Sequence, residues 1–215
     1  MSEESKVREQ IAAVGRSLYD RGLSPGSSGN ISVRLADSWL LTPTNSCLGE
    51  LDPSSLSKLD WNGNLVSGSK PSKEYFLHLA MYANRPQSGA IVHLHSSFAA
   101  AVSCLEGLDP TSCIPPITPY FVMRVGKLPL IPYFRPGDKS LAVEIAKLAG
   151  KHAAVLLANH GPVVSGRDLD SAMYAAEELE ETSKLMLLLH GRNVRTLTAS
   201  EIQELSTVFN AEWAG

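Results

Sequence analysis

The sequence has 215 residues, which is long enough for one domain with a sizeable core and short for two. Hydrophobic residues make up 44% and charged residues 19%, a composition that excludes an intrinsically disordered chain. The formal net charge is -3, so the chain lacks the basic balance expected of a nucleic-acid-binding protein. We therefore expect one domain over residues 1–215 and no nucleic-acid partner.

Signal peptides, membrane spans and cysteine pairs are the sequence features that indicate a protein's cellular compartment. The first residues are polar and acidic, and no apolar signal-peptide segment follows them. The longest apolar run, at 185–189, is far shorter than the roughly 20 residues that a membrane span needs. The three cysteines form no CxxC pair and are typical of reduced thiols: Cys47, Cys104 and Cys113. We expect a cytoplasmic protein that does not associate with membranes.

The amino-terminal part predicts one helix followed by hairpins. Apolar residues at helical spacing indicate a helix over 4–21, which ends at Gly22. Alternating residues at 30–34 indicate a strand, with 39–42 as its hairpin partner. The Asn-Gly-Asn sequence at 62–64 predicts a further hairpin turn.

The central part predicts a helix, a buried strand and a second helix. The first helix covers 72–84, with Ser72 as its cap. A short apolar strand follows at 89–95, and a helix of small residues at 96–105. Six prolines between residues 114 and 137 predict mainly extended or looping chain there.

The carboxyl-terminal part predicts three helices and one strand. The helices cover 141–150, 169–189 and 198–209, the last with a capping box of Thr198 and Glu201, and the strand covers 153–158. Helices and strands alternate without a clean βαβ repeat. We therefore expect an α/β fold whose sheet is mixed or antiparallel.

Three histidines indicate a metal site. His93 and His95 stand two residues apart on a predicted strand, so both imidazoles face the same side. His160 follows another predicted strand, with Gly161 allowing a sharp turn. Three imidazoles suit a catalytic zinc with one open position, whereas buried histidines in a core are the alternative interpretation. The other histidines, at 78, 152 and 190, are interpreted as structural.

Glu74, two turns and one helix start are the other candidate site features. Glu74 lies in the first turn of its predicted helix, either as a solvated carboxylate or as a general base beside the metal. The turns at 27–30 and 42–45 and the helix start at 72–73 offer amides and hydroxyls that bind phosphate, although ordinary turns use the same residues. No P-loop or Rossmann fingerprint is present, which disfavours nucleotides.

These motifs together resemble the class II aldolase and adducin-head family. The matching segments run in order through almost the whole chain: 28–32, 41–44, 72–74, 93–95, 159–161, and the long helix with Glu177, Glu178 and Glu180. The resemblance implies a three-layer α/β/α sandwich around a mixed, largely antiparallel sheet. It also implies a homotetramer with active sites at the subunit interfaces.

The resemblance also implies roles for individual residues. His93, His95 and His160 match the zinc ligands, one ion per subunit, and Glu74 matches the catalytic acid/base and is available as a fourth ligand. Positions of the phosphate and substrate site are matched by Ser28, Gly29, Asn30, Thr44, Asn45, Ser72 and Lys73. Asn45 stands where the aldolases often have glycine, and Lys73 where they often have serine. Tyr120 aligns with a tyrosine that donates a proton from a neighbouring subunit.

Four segments are most similar to the branch that acts on four-carbon sugar acids: 27–30, 44–49, 70–74 and 120–126. That branch resembles 3-oxo-tetronate 4-phosphate decarboxylases, which form dihydroxyacetone phosphate and carbon dioxide through a metal-stabilised enediolate. A sugar-phosphate aldolase of the fuculose-phosphate type, or an epimerase, would use the same zinc site. A non-catalytic adducin-head-like binding module is the third alternative, which the retained histidines and Glu74 disfavour.

Overall fold

A computed structural model describes residues 2–213. Its helices are α1 (Glu3–Asp20), α2 (Tyr75–Asn84), α3 (Ser97–Ser103), α4 (Pro119–Arg124), α5 (Leu141–Ala149), α6 (Leu169–Leu188) and α7 (Ala199–Phe209). Its strands are β1 (Asn30–Arg34), β2 (Trp39–Leu41), β3 (Ser57–Leu59), β4 (Leu65–Ser67), β5 (Ala90–His93), β6 (Leu130–Ile131), β7 (Ala154–Leu157) and β8 (Gly161–Gly166). Single 3-10 turns at Leu48–Glu50 and Pro53–Ser55 complete these elements. Within this described part, no helix combines the length and apolar character needed to cross a bilayer.

The strands form one sheet of eight in the order β4-β3-β2-β1-β5-β8-β7-β6. Among the strands described, neighbours pair antiparallel except for β6 and β7, which pair in parallel. The predicted mixed, largely antiparallel sheet is therefore confirmed. β5 lies at the centre, where it pairs with β1 on one side and with β8 on the other.

Helices cover both faces of the sheet, because successive strand residues point to opposite sides. On β5, Ala90 and Val92 pack into a cluster with apolar residues of α1, α3, α4 and α6. Ile91, between them, packs into a second cluster with residues of α2 and α5. The chain is therefore the predicted three-layer α/β/α sandwich, and His93, two residues after Ile91, points to the α2 side of the sheet.

Four predictions of local structure need correction. The proline-rich stretch contains α4, because the Thr118 side chain caps it and Pro119 suits the first helical position. β8 was not predicted, since its Gly-Pro start is typical of a turn. The helix predicted from residue 72 begins at Tyr75, because the Ser72 hydroxyl accepts the Glu74 N–H in a local turn instead of capping the helix. The strand predicted over 89–95 ends at His93.

Candidate active site and metal centre

Strand ends bring the three histidines together. His93 is the last residue of β5, and His95 follows two residues later. The turn between β7 and β8 carries His160, after Asn159 in the left-handed region with a φ of 55°. A side chain at Gly161 would place its Cβ 2.3 Å from the Leu94 carbonyl oxygen, so only glycine lets this turn approach β5 so closely.

The ligand atoms of the cluster converge on one point. The Nε2 atom of His95 lies 3.2 Å from that of His93 and 2.9 Å from that of His160. The Glu74 carboxylate lies beside them, with its oxygens 3.4 Å from the Nε2 atoms of His93 and of His160. One ligand atom from each of these four residues lies within 4.8 Å of all the others.

This donor set fits a divalent metal ion. A tetrahedral ion with metal–nitrogen bonds of about 2.0–2.1 Å holds its ligand nitrogens roughly 3.3 Å apart, near the observed separations. The Nδ1 atom of His93 donates to the Pro162 carbonyl oxygen at 2.8 Å, which leaves the lone pair of Nε2 free to bind the ion. Both the spacing and the tautomer are therefore those of a metal site.

Burial and mutual charge set the protonation of the cluster. Burial, followed by repulsion from His93, lowers the pKa of His95 and that of His160 to about 4. Burial opposes ionisation of Glu74, but His93, His160 and the hydrogen bond from Asn30 outweigh it and hold the pKa of that carboxyl well below its usual range. Burial also disfavours charge on His93, whose pKa is nevertheless raised by Glu74. His95 and His160 are therefore neutral at pH 7, the form that binds metals.

A hydrogen bond from Asn30 fixes the position of the side chain of Glu74. It immediately precedes α2, not within its first turn as predicted, and its side chain is 16% exposed. The Asn30 side-chain amide donates to its Oε2 at 2.9 Å and to the Ser72 hydroxyl at 3.2 Å. A carboxylate fixed beside three imidazoles is suited to handling a proton at a bound substrate.

The protein-family profile described as "Class II Aldolase and Adducin N-terminal domain" matches residues 9–187. The chain belongs to this family. It is 54% identical to the 3-oxo-tetronate 4-phosphate decarboxylase of Pectobacterium atrosepticum over 207 residues, which cover 96% of this chain and 95% of the relative. It is also 37% identical to the L-fuculose phosphate aldolase of Methanocaldococcus jannaschii over 181 residues, 84% of this chain and 96% of that protein.

Solved structures agree with this membership. The crystal structure of YgbL from Klebsiella pneumoniae matches with a TM-score of 0.93 and 50% identity, covering 95% of this chain and 100% of that one. As a member of the class II aldolase family with decarboxylases at this level of identity, the chain is an enzyme of the carbon–carbon lyase class.

The segments predicted to bind phosphate are joined to one another beside the cluster. The amide of Thr44 donates to the Lys70 carbonyl oxygen at 3.0 Å, and that of Ser72 to the Thr42 carbonyl oxygen at 3.3 Å. Gly29, with a φ of 76°, would place a Cβ 2.9 Å from the His93 carbonyl oxygen. The structure therefore places these segments beside the cluster. Phosphate binding by Ser28, Gly29, Asn30, Thr44, Asn45, Ser72 and Lys73 stays a prediction.

Tyr120 stands apart from the other candidate residues. It lies on α4 with 56% of its surface exposed, and the Arg124 guanidinium is centred 5.4 Å from its ring. Among residues 2–213, its ring contacts do not include the four residues of the cluster. Proton donation by Tyr120 therefore stays a prediction that requires a second subunit.

Two buried residues near the cluster had no assigned contact in the sequence analysis. His78, interpreted as structural, contacts Asn30 and Ser32. The sequence spacing is compatible with this contact. Asn30 and Ser32 are alternate residues of β1 and face one side of the sheet, and residues four apart share one face of α2. Glu180 on α6 accepts two amide N–H groups at the start of α3, just after His95. That contact joins segments more than 80 residues apart, so no local pattern indicates it.

Proposed function

We propose that this chain is a zinc-dependent decarboxylase that converts a 3-oxo-tetronate 4-phosphate to dihydroxyacetone phosphate and carbon dioxide. The 54% identity to a decarboxylase of that name, across almost the full length of both chains, carries the proposal. The convergence of three imidazole nitrogens and one carboxylate supports it, because neutral imidazoles suit zinc and leave a position for substrate. One ion per chain follows from one such cluster among the described residues.

The reaction requires a place for one electron pair and a source of one proton. When the C1–C2 bond breaks, carbon dioxide leaves and its electron pair stays on C2, conjugated with the C3 carbonyl. A divalent ion bound by the cluster supplies Lewis acidity that stabilises this charge by several kcal/mol. C2 then takes up one proton, which gives dihydroxyacetone phosphate.

Glu74 is the residue proposed to handle that proton. Its carboxylate lies 3.4 Å from the Nε2 atoms of His93 and His160, so it borders the position where C2 and its neighbouring oxygens would lie. The Asn30 side-chain amide donates a hydrogen bond to the carboxylate, which limits the rotation of that group. In this proposal the ionised Glu74 carboxylate takes one proton from solvent, passes it to C2 and is ionised again. The exposed ammonium of the preceding residue, Lys73, offers a charge for the phosphate.

An aldolase acting on a sugar phosphate is the second candidate. The 37% identity to an L-fuculose phosphate aldolase favours it, and such a reaction leaves an electron pair at the equivalent carbon by releasing an aldehyde. Under either reaction we propose a cytoplasmic homotetramer with active sites at subunit interfaces, to which Tyr120 of a neighbouring subunit contributes. Free cysteines at Cys47, Cys104 and Cys113 are consistent with that compartment.

The deciding experiment offers two substrates to the purified, zinc-loaded protein. Carbon dioxide and dihydroxyacetone phosphate from 3-oxo-tetronate 4-phosphate support the decarboxylase. Aldehyde from L-fuculose 1-phosphate, without carbon dioxide from the first substrate, would replace it with the aldolase.

A pair of matched variants tests the metal centre in the same assay. His93→Ala removes one ligand, so bound zinc and turnover should be lost together. His152→Ala removes a histidine that lies just before β7 and contacts the Lys127 carbonyl oxygen. This variant should retain both its zinc and its turnover. Full zinc content and full turnover in His93→Ala would contradict the proposed site.

A further inference from the structure

A chain of hydrogen bonds runs from the protein interior to Glu74. The Tyr82 hydroxyl lies 2.9 Å from the Ser32 hydroxyl, which lies 2.7 Å from Nδ1 of His78. Nε2 of His78 lies 2.5 Å from Oδ1 of Asn30, whose amide nitrogen lies 2.9 Å from Oε2 of Glu74. Five side chains thus connect a buried tyrosine with the proposed acid/base.

The direction of each hydrogen bond follows from the last acceptor. An ionised carboxylate only accepts, so Asn30 must turn its NH₂ group toward Glu74 and its Oδ1 toward His78. Oδ1 only accepts as well, so the proton of the neutral His78 imidazole must be on Nε2. Nδ1 is then an acceptor for the Ser32 hydroxyl, and Ser32 in turn accepts from Tyr82. Every member of the chain has a partner of the required kind.

The fold holds His78 in this orientation. Its side chain is fully buried, and its ring stacks on Trp39 with centroids 6.4 Å apart and planes inclined by 19°. Asn30 and Ser32 occupy alternate positions on β1, while His78 and Tyr82 are four residues apart on α2, so the two pairs face each other across the layer. Reorienting the imidazole would require the surrounding core to move.

We infer that His78 is a positioning residue, which keeps the Asn30 amide turned so that its N–H groups hold the Glu74 carboxylate beside the metal ligands. This inference rests on the proposed function, in which Glu74 handles a proton. Without His78, Oδ1 of Asn30 loses its donor, and only the bonds that the amide nitrogen donates to Glu74 and Ser72 oppose a flip that turns Oδ1 toward Glu74. Two oxygens would then face each other, and the carboxylate would move from its position.

Two observations in the free protein and its variants test the inference without substrate. In ¹⁵N NMR of the zinc-loaded wild type, the signals of His78, assigned by their loss in His78→Gln, should show a protonated Nε2 and an unprotonated Nδ1. A proton on Nδ1 would reverse the chain and overturn the inference. His78→Phe should keep its full zinc content, because His78 is not a ligand.

Kinetics separate positioning from simple structural support. His78→Phe should lower kcat by roughly 10–100-fold, as loss of a residue that orients a site residue commonly does, with KM changed less than about threefold. His78→Gln should recover part of kcat, because its side-chain amide can still donate to Oδ1 of Asn30. His152→Phe is the matched control: it removes an imidazole that lies two residues before β7 and should leave kcat unchanged. An unchanged kcat in His78→Phe would overturn the inference.

A double-mutant comparison identifies the group through which His78 acts. In a Glu74→Gln background, His78→Phe should cause little further loss of kcat, because the carboxylate that it positions is already absent. An equal fold-loss in both backgrounds would show that His78 acts independently of Glu74 and would overturn the inference. The assay uses whichever of 3-oxo-tetronate 4-phosphate and L-fuculose 1-phosphate the wild type converts. If it converts neither, the proposed function fails, whereas the NMR result still decides the His78 tautomer.

Discussion

Glu180→Gln should destabilise the protein by removing the charge that caps α3. The Glu180 carboxylate is buried, and its two oxygens accept the amide N–H groups of Phe98 and Ala99, each at 2.8 Å. A hydrogen bond to a charged group contributes about 1.5–3 kcal/mol. Gln keeps one acceptor oxygen for one N–H but turns an NH₂ group toward the other. We therefore expect a loss of about 2–3 kcal/mol, one charged hydrogen bond and part of the second.

Thermal unfolding at a fixed protein concentration measures this loss. For a chain of this size each kcal/mol lowers Tm by about 2–4 °C, so Glu180→Gln should lower it by about 4–12 °C. Glu181→Gln is the matched control on the same helix. Its side chain is 64% exposed and lies 3.8 Å from the Lys184 ammonium, so its removal should cost no more than about 1 kcal/mol. Equal shifts of Tm in the two variants would refute the assignment of Glu180 as the cap of α3.

Three further outcomes are expected. Glu74→Gln should keep its zinc while turnover falls by about 10²–10⁴-fold, measured by elemental analysis and assay of one preparation, and loss of zinc would instead identify Glu74 as a ligand. Mixing Glu74→Gln chains with Tyr120→Phe chains should restore part of the activity, because some interfaces regain an intact pair, whereas a fully active monomer in sedimentation would exclude a shared site. Stability should fall as pH decreases below about 6.5, in part because burial lowers the pKa of His78 to about 3 while the unfolded chain binds that proton. Urea unfolding of wild type and His78→Phe between pH 7 and pH 4 checks this, and the wild type should show the steeper dependence.

Local patterns predicted most elements and the residues of the histidine cluster, because these depend on near neighbours in sequence. His93 and His95 were identified from their spacing on one strand, and His160 from a strand end followed by glycine. Their convergence depends on the antiparallel pairing of β5 with β8, which joins residues about 70 apart and leaves no local signal. β8 itself was missed because Gly161 and Pro162 are typical of turns, although here glycine serves the close approach to β5.

The partners of His78 and Glu180 depend in the same way on long-range packing, because spacing shows which residues share a face but not which two faces meet. The local sequence does not distinguish either residue from its neighbours. His78 stands among apolar residues of α2, and Glu180 stands among other glutamates of α6. Their partners are set by how α2 packs on β1 and how α6 packs against α3. The pairing of buried polar groups is therefore a property of the tertiary arrangement. That pairing determines how the side chains of the site are oriented.

The central place of β5 has a consequence for how the molecule opens. Three strands lie beyond β1 and two beyond β8, so fraying at either edge of the sheet leaves the histidine-bearing strand paired. Glu74 joins the site from the amino-terminal half of the sheet and His160 from the carboxyl-terminal half. A cation bound between them would therefore add a link between the two halves, besides their common pairing with β5. We expect the amides of β5 to exchange with solvent only through global unfolding, while those of β4 and β6 exchange through local opening.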